Sequence, residues 1–180
     1  MTRRTVMWNG AARDPSLTEI RSGSAYRVQA PGRLLVKREL AAELDKVLER
    51  FAREAGFTPM RPVEVGFKPG IFGHHKIGRA ADIYSVGGLG IEVWKRKWDE
   101  ATQGDEAKRR SPETPAAVVC ERKTNLGWRL YQALKTYGRW SQPYGYPIQL
   151  FGPWTRTEGP WKYISNFLLH AHRDHIHVSK

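Results

Sequence analysis

Six histidines occupy only two stretches of this 180-residue chain. His74 and His75 sit in a glycine-rich segment, and His170, His172, His175 and His177 fall within the last eleven residues. Histidines clustered near carboxylates compose a metal or acid–base site, because neutral imidazole is the commonest metal ligand.

His75 and Asp82 are seven residues apart in the run HKIGRAAD. An extended chain would hold them more than about 20 Å apart. Both can reach one ion only if the chain folds back between them, and Gly78 permits that turn. Asp82 then falls on a following strand and shares a face with the small Ala80. In HIHVS, His175 and His177 alternate, so both point to one face while Ile176 and Val178 point to the other. Alternation would set Asp174 on the wrong face, so the strand must begin near 175, with 172–174 in the entering turn. Plainer readings exist for each stretch: a loop histidine beside an exposed aspartate, and a histidine-rich tail.

The elements that must carry these residues can be read from pattern. Residues 1–35 are interrupted by Pro15, Gly23, Pro31 and Gly32 and read as an irregular arm with one short strand near Tyr26–Gln29. Lys37–Ala55 is a helix, with Leu40, Leu44, Val47, Leu48 and Phe51 on one face and Gly56 as its stop. Val63–Phe67 and Ala80–Val86 read as strands, the second ending at Gly87-Gly88, with residues 68–79 a loop between them. Gly90–Ala107 reads as helical, 102–113 as polar and exposed, and a helix carrying Leu126, Leu130, Leu134 and Tyr137 is expected somewhere within 115–137. Pro147–Phe151 is an expected strand, Trp161–Leu169 a short helix or turn, and His175–Ser179 the final strand. The mixed order predicts one α+β domain over 1–180, built on a small, mostly antiparallel sheet flanked by helices.

Composition sets outer bounds. Apolar residues make up 40% and charged residues 27% of the chain, which is a globular mixture. Apolar runs fall well short of the roughly 20 residues that span a bilayer. The single cysteine, Cys120, excludes an internal disulfide framework. In the run VVCER it reads as a small buried apolar residue rather than a nucleophile. The net charge of +12 points to a polyanionic partner. No apolar stretch follows Arg3 and Arg4, so the expected route is cytoplasmic synthesis with release to the cell wall or periplasm.

Taken together, the two clusters resemble the LAS zinc metallopeptidases, which include D-Ala-D-Ala carboxypeptidases, murein endopeptidases and the Hedgehog signalling domain. The matching motifs are His75-Lys-Ile-Gly78-Arg-Ala80-Ala-Asp82 and His172-Arg-Asp174-His175-Ile-His177, in the family's order. The resemblance implies zinc held by His75, Asp82 and His177. It implies Asp174 as general base, His175 beside it, and His172 as a further active-site histidine. The chain departs from the family pattern in having Gly73 where Ser is frequent and Asp174 where many members have Glu. His74 is an additional neighbour with the wrong spacing to Asp82.

By the same resemblance, a basic residue upstream of the first motif binds a substrate carboxylate, and Lys68 and Arg61 are the candidates. The aromatic-rich stretch 137–163 reads either as a substrate groove or as core packing. The expected function is zinc-dependent hydrolysis of peptide bonds in bacterial peptidoglycan, by an endolysin-like endopeptidase or D,D-carboxypeptidase. The partners would be the wall peptide and anionic wall polymers, with no membrane span and no nucleic acid. The rival readings are a basic metal-dependent nuclease and a non-catalytic, zinc-stabilised binding module.

Overall fold

A computed structural model describes residues 15–68, 70, 73–103, 116–142, 148–158 and 165–180. The fold is α+β, as the pattern predicts. Its main sheet has the strand order β2 (Tyr26–Gln29), β4 (Val63–Lys68), β5 (Ala80–Val86), β8 (Ile176–Ser179), β7 (Leu150–Phe151). Only β2–β4 is parallel; β6 (Leu89–Gly90) folds back on β5 through the Gly87-Gly88 turn. Both turn glycines have positive φ, 60° and 79°, which explains their residue type.

One face of the sheet is apolar and covered. Val65, Phe67, Ala81, Ile83, Ile176 and Val178 share a single core with Leu40, Leu44, Leu48 and Phe51 of α1 (Arg38–Glu54) and with Leu130, Tyr131 and Leu134 of α4 (Leu126–Tyr137). On β5 and β8 these core residues alternate with Asp82 and His177, so the strands that fill the core also present the site on the opposite face.

Residues 15–35 are more ordered than the expected arm. The strand at 26–29 is present, and β1 (Leu17–Glu19) also pairs antiparallel with β3 (Leu35–Lys37). Glu49 of α1 fixes the entry to β2 by accepting from the Ser24 and Ala25 amides at 2.9 and 3.0 Å. The Ser24 hydroxyl bonds the same carboxylate.

The expected helix carrying Leu126, Leu130, Leu134 and Tyr137 is α4, and a further helix, α3 (Ala116–Thr124), precedes it. Buried Asn125 divides them: its Oδ1 caps α4 at the Trp128 amide, 2.9 Å away, and its Nδ2 donates to the Trp94 carbonyl at 2.8 Å. Cys120 is exposed, not buried. Its helix turns Glu121 inward to Asn125 at 2.7 Å, and the residue before Glu121 is carried about 100° around the helix, toward solvent.

The polar run beyond 103, Pro147, Tyr144, Tyr146, Trp161 and Tyr163 lie outside the described residues. Helix α2 spans Ile91–Gln103, α5 spans Thr155–Glu158, and α6 spans Asn166–Ala171, overlapping the expected 161–169 region and running two residues past it. Among the described residues, no helix is long and apolar enough to cross a membrane.

Candidate metal centre

Strand register places the site before any side chain is considered. Lys68 lies opposite Asp82, Asp82 opposite His177, and His177 opposite Phe151, one row across four strands. Residues directly opposite each other in antiparallel strands project to the same face. His75 joins the row from the short 3-10 helix Gly73–Ile77, through the fold-back that its spacing to Asp82 requires. Gly78 makes that turn with φ +72°, and its carbonyl accepts from the Lys37 amide at 2.7 Å. The N-terminal two-stranded sheet thus braces the loop carrying His75. Gly70 packs against the His75 ring so closely that a Cβ there would lie 2.1 Å from its Cγ.

Three donor atoms converge. His177 Nδ1 is 2.8 Å from Asp82 Oδ1 and 3.2 Å from His75 Nε2, and His75 Nε2 is 3.2 Å from Asp82 Oδ2. Ligand atoms of a tetrahedral zinc with bonds of about 2.0–2.1 Å stand roughly 3.3 Å apart. The group can hold a metal ion, its donor atoms all lying within 4.8 Å of one another. Two imidazoles and one carboxylate are a donor set suited to a divalent metal ion.

Electrostatics favours the same protonation pattern. Burial opposes ionisation of Asp82, but hydrogen bonds first to His177 and then to His75 outweigh it and hold the carboxyl below its ordinary range. Burial holds His177 below the usual imidazole value against the pull of Asp82. An ionised carboxylate beside a neutral imidazole is the state that metal coordination needs.

Around this row stand the remaining histidines of the second cluster. His175 is buried, with Nδ1 2.8 Å from Asp174 Oδ1 and Nε2 3.7 Å from Asp82 Oδ1. A carboxylate oxygen only accepts, so His175 carries its proton on Nδ1 in that bond. His172 caps α6, and its Nδ1 donates to the Leu168 carbonyl at 2.7 Å. Burial pushes its pKa down to about 4, so the ring is neutral at pH 7. Its centroid lies 5.0 Å from that of His175 and 5.3 Å from that of His177.

The structure therefore gathers His75, Asp82, His177, His175, Asp174 and His172. Lys68 joins them as the cross-strand partner of Asp82. Arg61 does not join: it sits before β4, in a turn bridged to Thr58, seven residues from Lys68 and so about 20 Å away along an extended strand. His74 and His170 are exposed. The described aromatic residues of 137–163 serve the core: Trp140, Phe151 and Trp154 are buried. Phe151 also walls the site, its ring 5.1 Å from His172 and 5.8 Å from His177.

Sequence reasoning missed Tyr84, whose ring stacks on His175 at 4.7 Å with an interplanar angle of 18°. Its signal was available, since Tyr84 follows Asp82 by two on the same strand. Phe151 carries no comparable signal, because its place follows from the pairing of β7 with β8. Comparison with protein-family models, with curated proteins and with solved structures finds no match for this chain.

Proposed function

We propose that this chain is a zinc-dependent peptidase acting on peptide bonds of bacterial peptidoglycan, as an endopeptidase or D,D-carboxypeptidase. The observation that carries the reading is the convergence of His75, Asp82 and His177 with the Asp174–His175 pair alongside. The resemblance of the two motifs to the LAS metallopeptidases supplies the reaction class. The net charge of +12 suits an anionic wall.

His75 Nε2, His177 Nδ1 and the Asp82 carboxylate would hold the ion. Zinc there would supply Lewis acidity toward a substrate carbonyl. Asp174, half-exposed beside the cluster, takes a proton from the attacking water and passes it to the leaving amine. His175 is held at Nδ1 by Asp174. With a proton from solvent on Nε2 as well, the ring would be a donor to the developing oxyanion. Phe151 and neutral His172 keep one wall of the site poorly hydrated.

The test combines metal analysis with substrate. Purified protein should carry about one zinc per chain and release new amines from defined muropeptides, and either Asp82→Ala or His177→Ala should lose the zinc. Full zinc occupancy in both variants would remove the ligand assignment. Cleavage of plasmid DNA with intact muropeptides would instead identify a nuclease. Zinc without cleavage of either would identify a binding module.

A further inference from the structure

The register of β4 and β5 slips at one point. Phe67 pairs with Ile83, whereas the preceding Gly66 pairs with Ser85. One step on β4 spans two on β5, so Tyr84 is the extra residue of a β-bulge. Core facing gives the same count: Ala81, Ile83 and then Val86 enter the core, and the alternation skips one residue. Tyr84 and Ser85 are both left half-buried outside that core. Gly66 makes the bulge possible, since a Cβ there would lie 2.0 Å from Ser85 Oγ.

Bulges bend a strand and re-aim a side chain. The side chain in question lies flat on His175, 4.7 Å between centroids. Lys68 Nζ lies 4.0 Å from the centroid of the same Tyr84 ring. Two rings stacked this closely leave no room for an ammonium between them, so Lys68 covers the far face. His175 needs such support. Its bond to Asp174 fixes one atom of the ring but not the ring plane, whereas a stacked aromatic fixes the plane.

We propose that Tyr84 is a positioning residue for His175: the bulge lays its ring on the imidazole, and Lys68 backs it as a cation on the opposite face. This places Lys68 in the support of the site rather than on a substrate carboxylate. The kinetic part of the test rests on the peptidase reading; the spectroscopic part does not.

The experiment compares zinc-loaded full chain with Tyr84→Phe, Tyr84→Leu and Lys68→Met. It reads muropeptide kinetics, zinc content and the His175 imidazole resonances. Tyr84→Phe keeps the stack, so the His175 ring protons stay shielded as in the unmodified chain and kcat stays within about twofold. Tyr84→Leu should lose that shielding and lower kcat by about tenfold or more, with zinc retained and KM nearly unchanged, because a tilted catalytic ring loses orientation rather than binding. Lys68→Met should lower kcat severalfold at unchanged KM.

Three results would overturn the proposal: full kcat in Tyr84→Leu, equal damage from Tyr84→Phe, or a raised KM with normal kcat in Lys68→Met. If Tyr84→Leu fails to fold, Tyr84→Phe and Lys68→Met still decide. If the unmodified chain cleaves no muropeptide, the peptidase reading fails alone. The His175 resonances then settle the positioning claim: a shift in Tyr84→Leu but not in Tyr84→Phe supports it, and unchanged resonances in Tyr84→Leu refute it.

Discussion

Strands β5 and β8 present two opposite environments within one residue of each other. Ile83 and Ile176 face each other on the covered side and are fully buried. Asp82 and His177 face each other on the other side, also largely buried, but as a carboxylate and an imidazole. The first pair contributes stability by removing apolar area from water. The second is costly to bury and is retained only with partners. One face holds the fold together, and the other uses that rigidity to keep donor atoms near 3 Å apart. Substitutions on the two faces should therefore fail in different ways.

The largest separation is expected at Asp174. Asp174→Asn keeps an oxygen able to accept from His175 Nδ1, and Asp174 lies outside the metal row. The variant should fold, keep its zinc and lose about 10²–10⁴ in muropeptide turnover, the usual loss when a general base is removed. His74→Ala is the control, since His74 neighbours a ligand yet is exposed. Turnover close to normal in Asp174→Asn would break the mechanistic assignment even with zinc in place.

Ile176→Ala tests the covered face. Removing most of a fully buried side chain from a packed core should cost about 2–5 kcal/mol in denaturant unfolding. Zinc stoichiometry in the remaining folded protein should be unchanged. Asp82→Ala should also destabilise the metal-free protein, because it leaves the largely buried His177 and His75 without the acceptor they share, but of the two variants it alone should abolish zinc binding. If Ile176→Ala lost its zinc as well, the two faces would not divide stability from site as described.

How much of this was legible in the sequence differs by face. Strand β5, helix α1 and the facing of Ile176 and Val178 follow from simple periodicity, because burial repeats at the element's own period. The fold-back at Gly78 follows from the reach of seven residues. The division of α3 from α4 is not periodic: it depends on Asn125 finding the Trp94 carbonyl, a contact 31 residues away. The bulge at Tyr84 shows in β5 only as a skipped step between Ile83 and Val86, and its place is fixed only against Gly66 on the partner strand. Arg61 and Lys68 look alike in sequence, and only the direction of β4 separates them.

Acid provides a smaller probe of the site face. The folded pKa of His172 is about 4, below its unfolded value of 6.5. A depressed folded pKa contributes stability that is present above 6.5 and is lost as pH falls through 4, since the unfolded chain takes up a proton that the folded one refuses. Metal-free protein should lose melting temperature across that window, and His172→Gln should flatten the loss. An equal slope in His172→Gln would show that other groups dominate acid sensitivity there.

The smallest expected effect lies at Glu49, far from the site row and on the helix side of the sheet. Burial disfavours its charge, but bonds from Ser24, Ala25 and Arg53 prevail and bring its pKa down to about 2 from 4.5. Its stabilisation is therefore present above pH 4.5 and is lost as pH falls toward 2. Glu49→Gln keeps an acceptor for the Ser24 and Ala25 amides but removes the charge. Hydrogen bonds to a charged group contribute roughly 1.5–3 kcal/mol against about 1 for neutral ones, so the variant should lose about 1 kcal/mol at pH 7. At pH 3 the difference from the unmodified chain should narrow. The bond network joins α1 only to the entry of β2, two strands from Asp82. Zinc affinity and muropeptide turnover should accordingly be unchanged. A loss of zinc in Glu49→Gln would mean that the entry to β2 shapes the metal row through β4, and that the two faces are coupled more tightly than their separate chemistry requires.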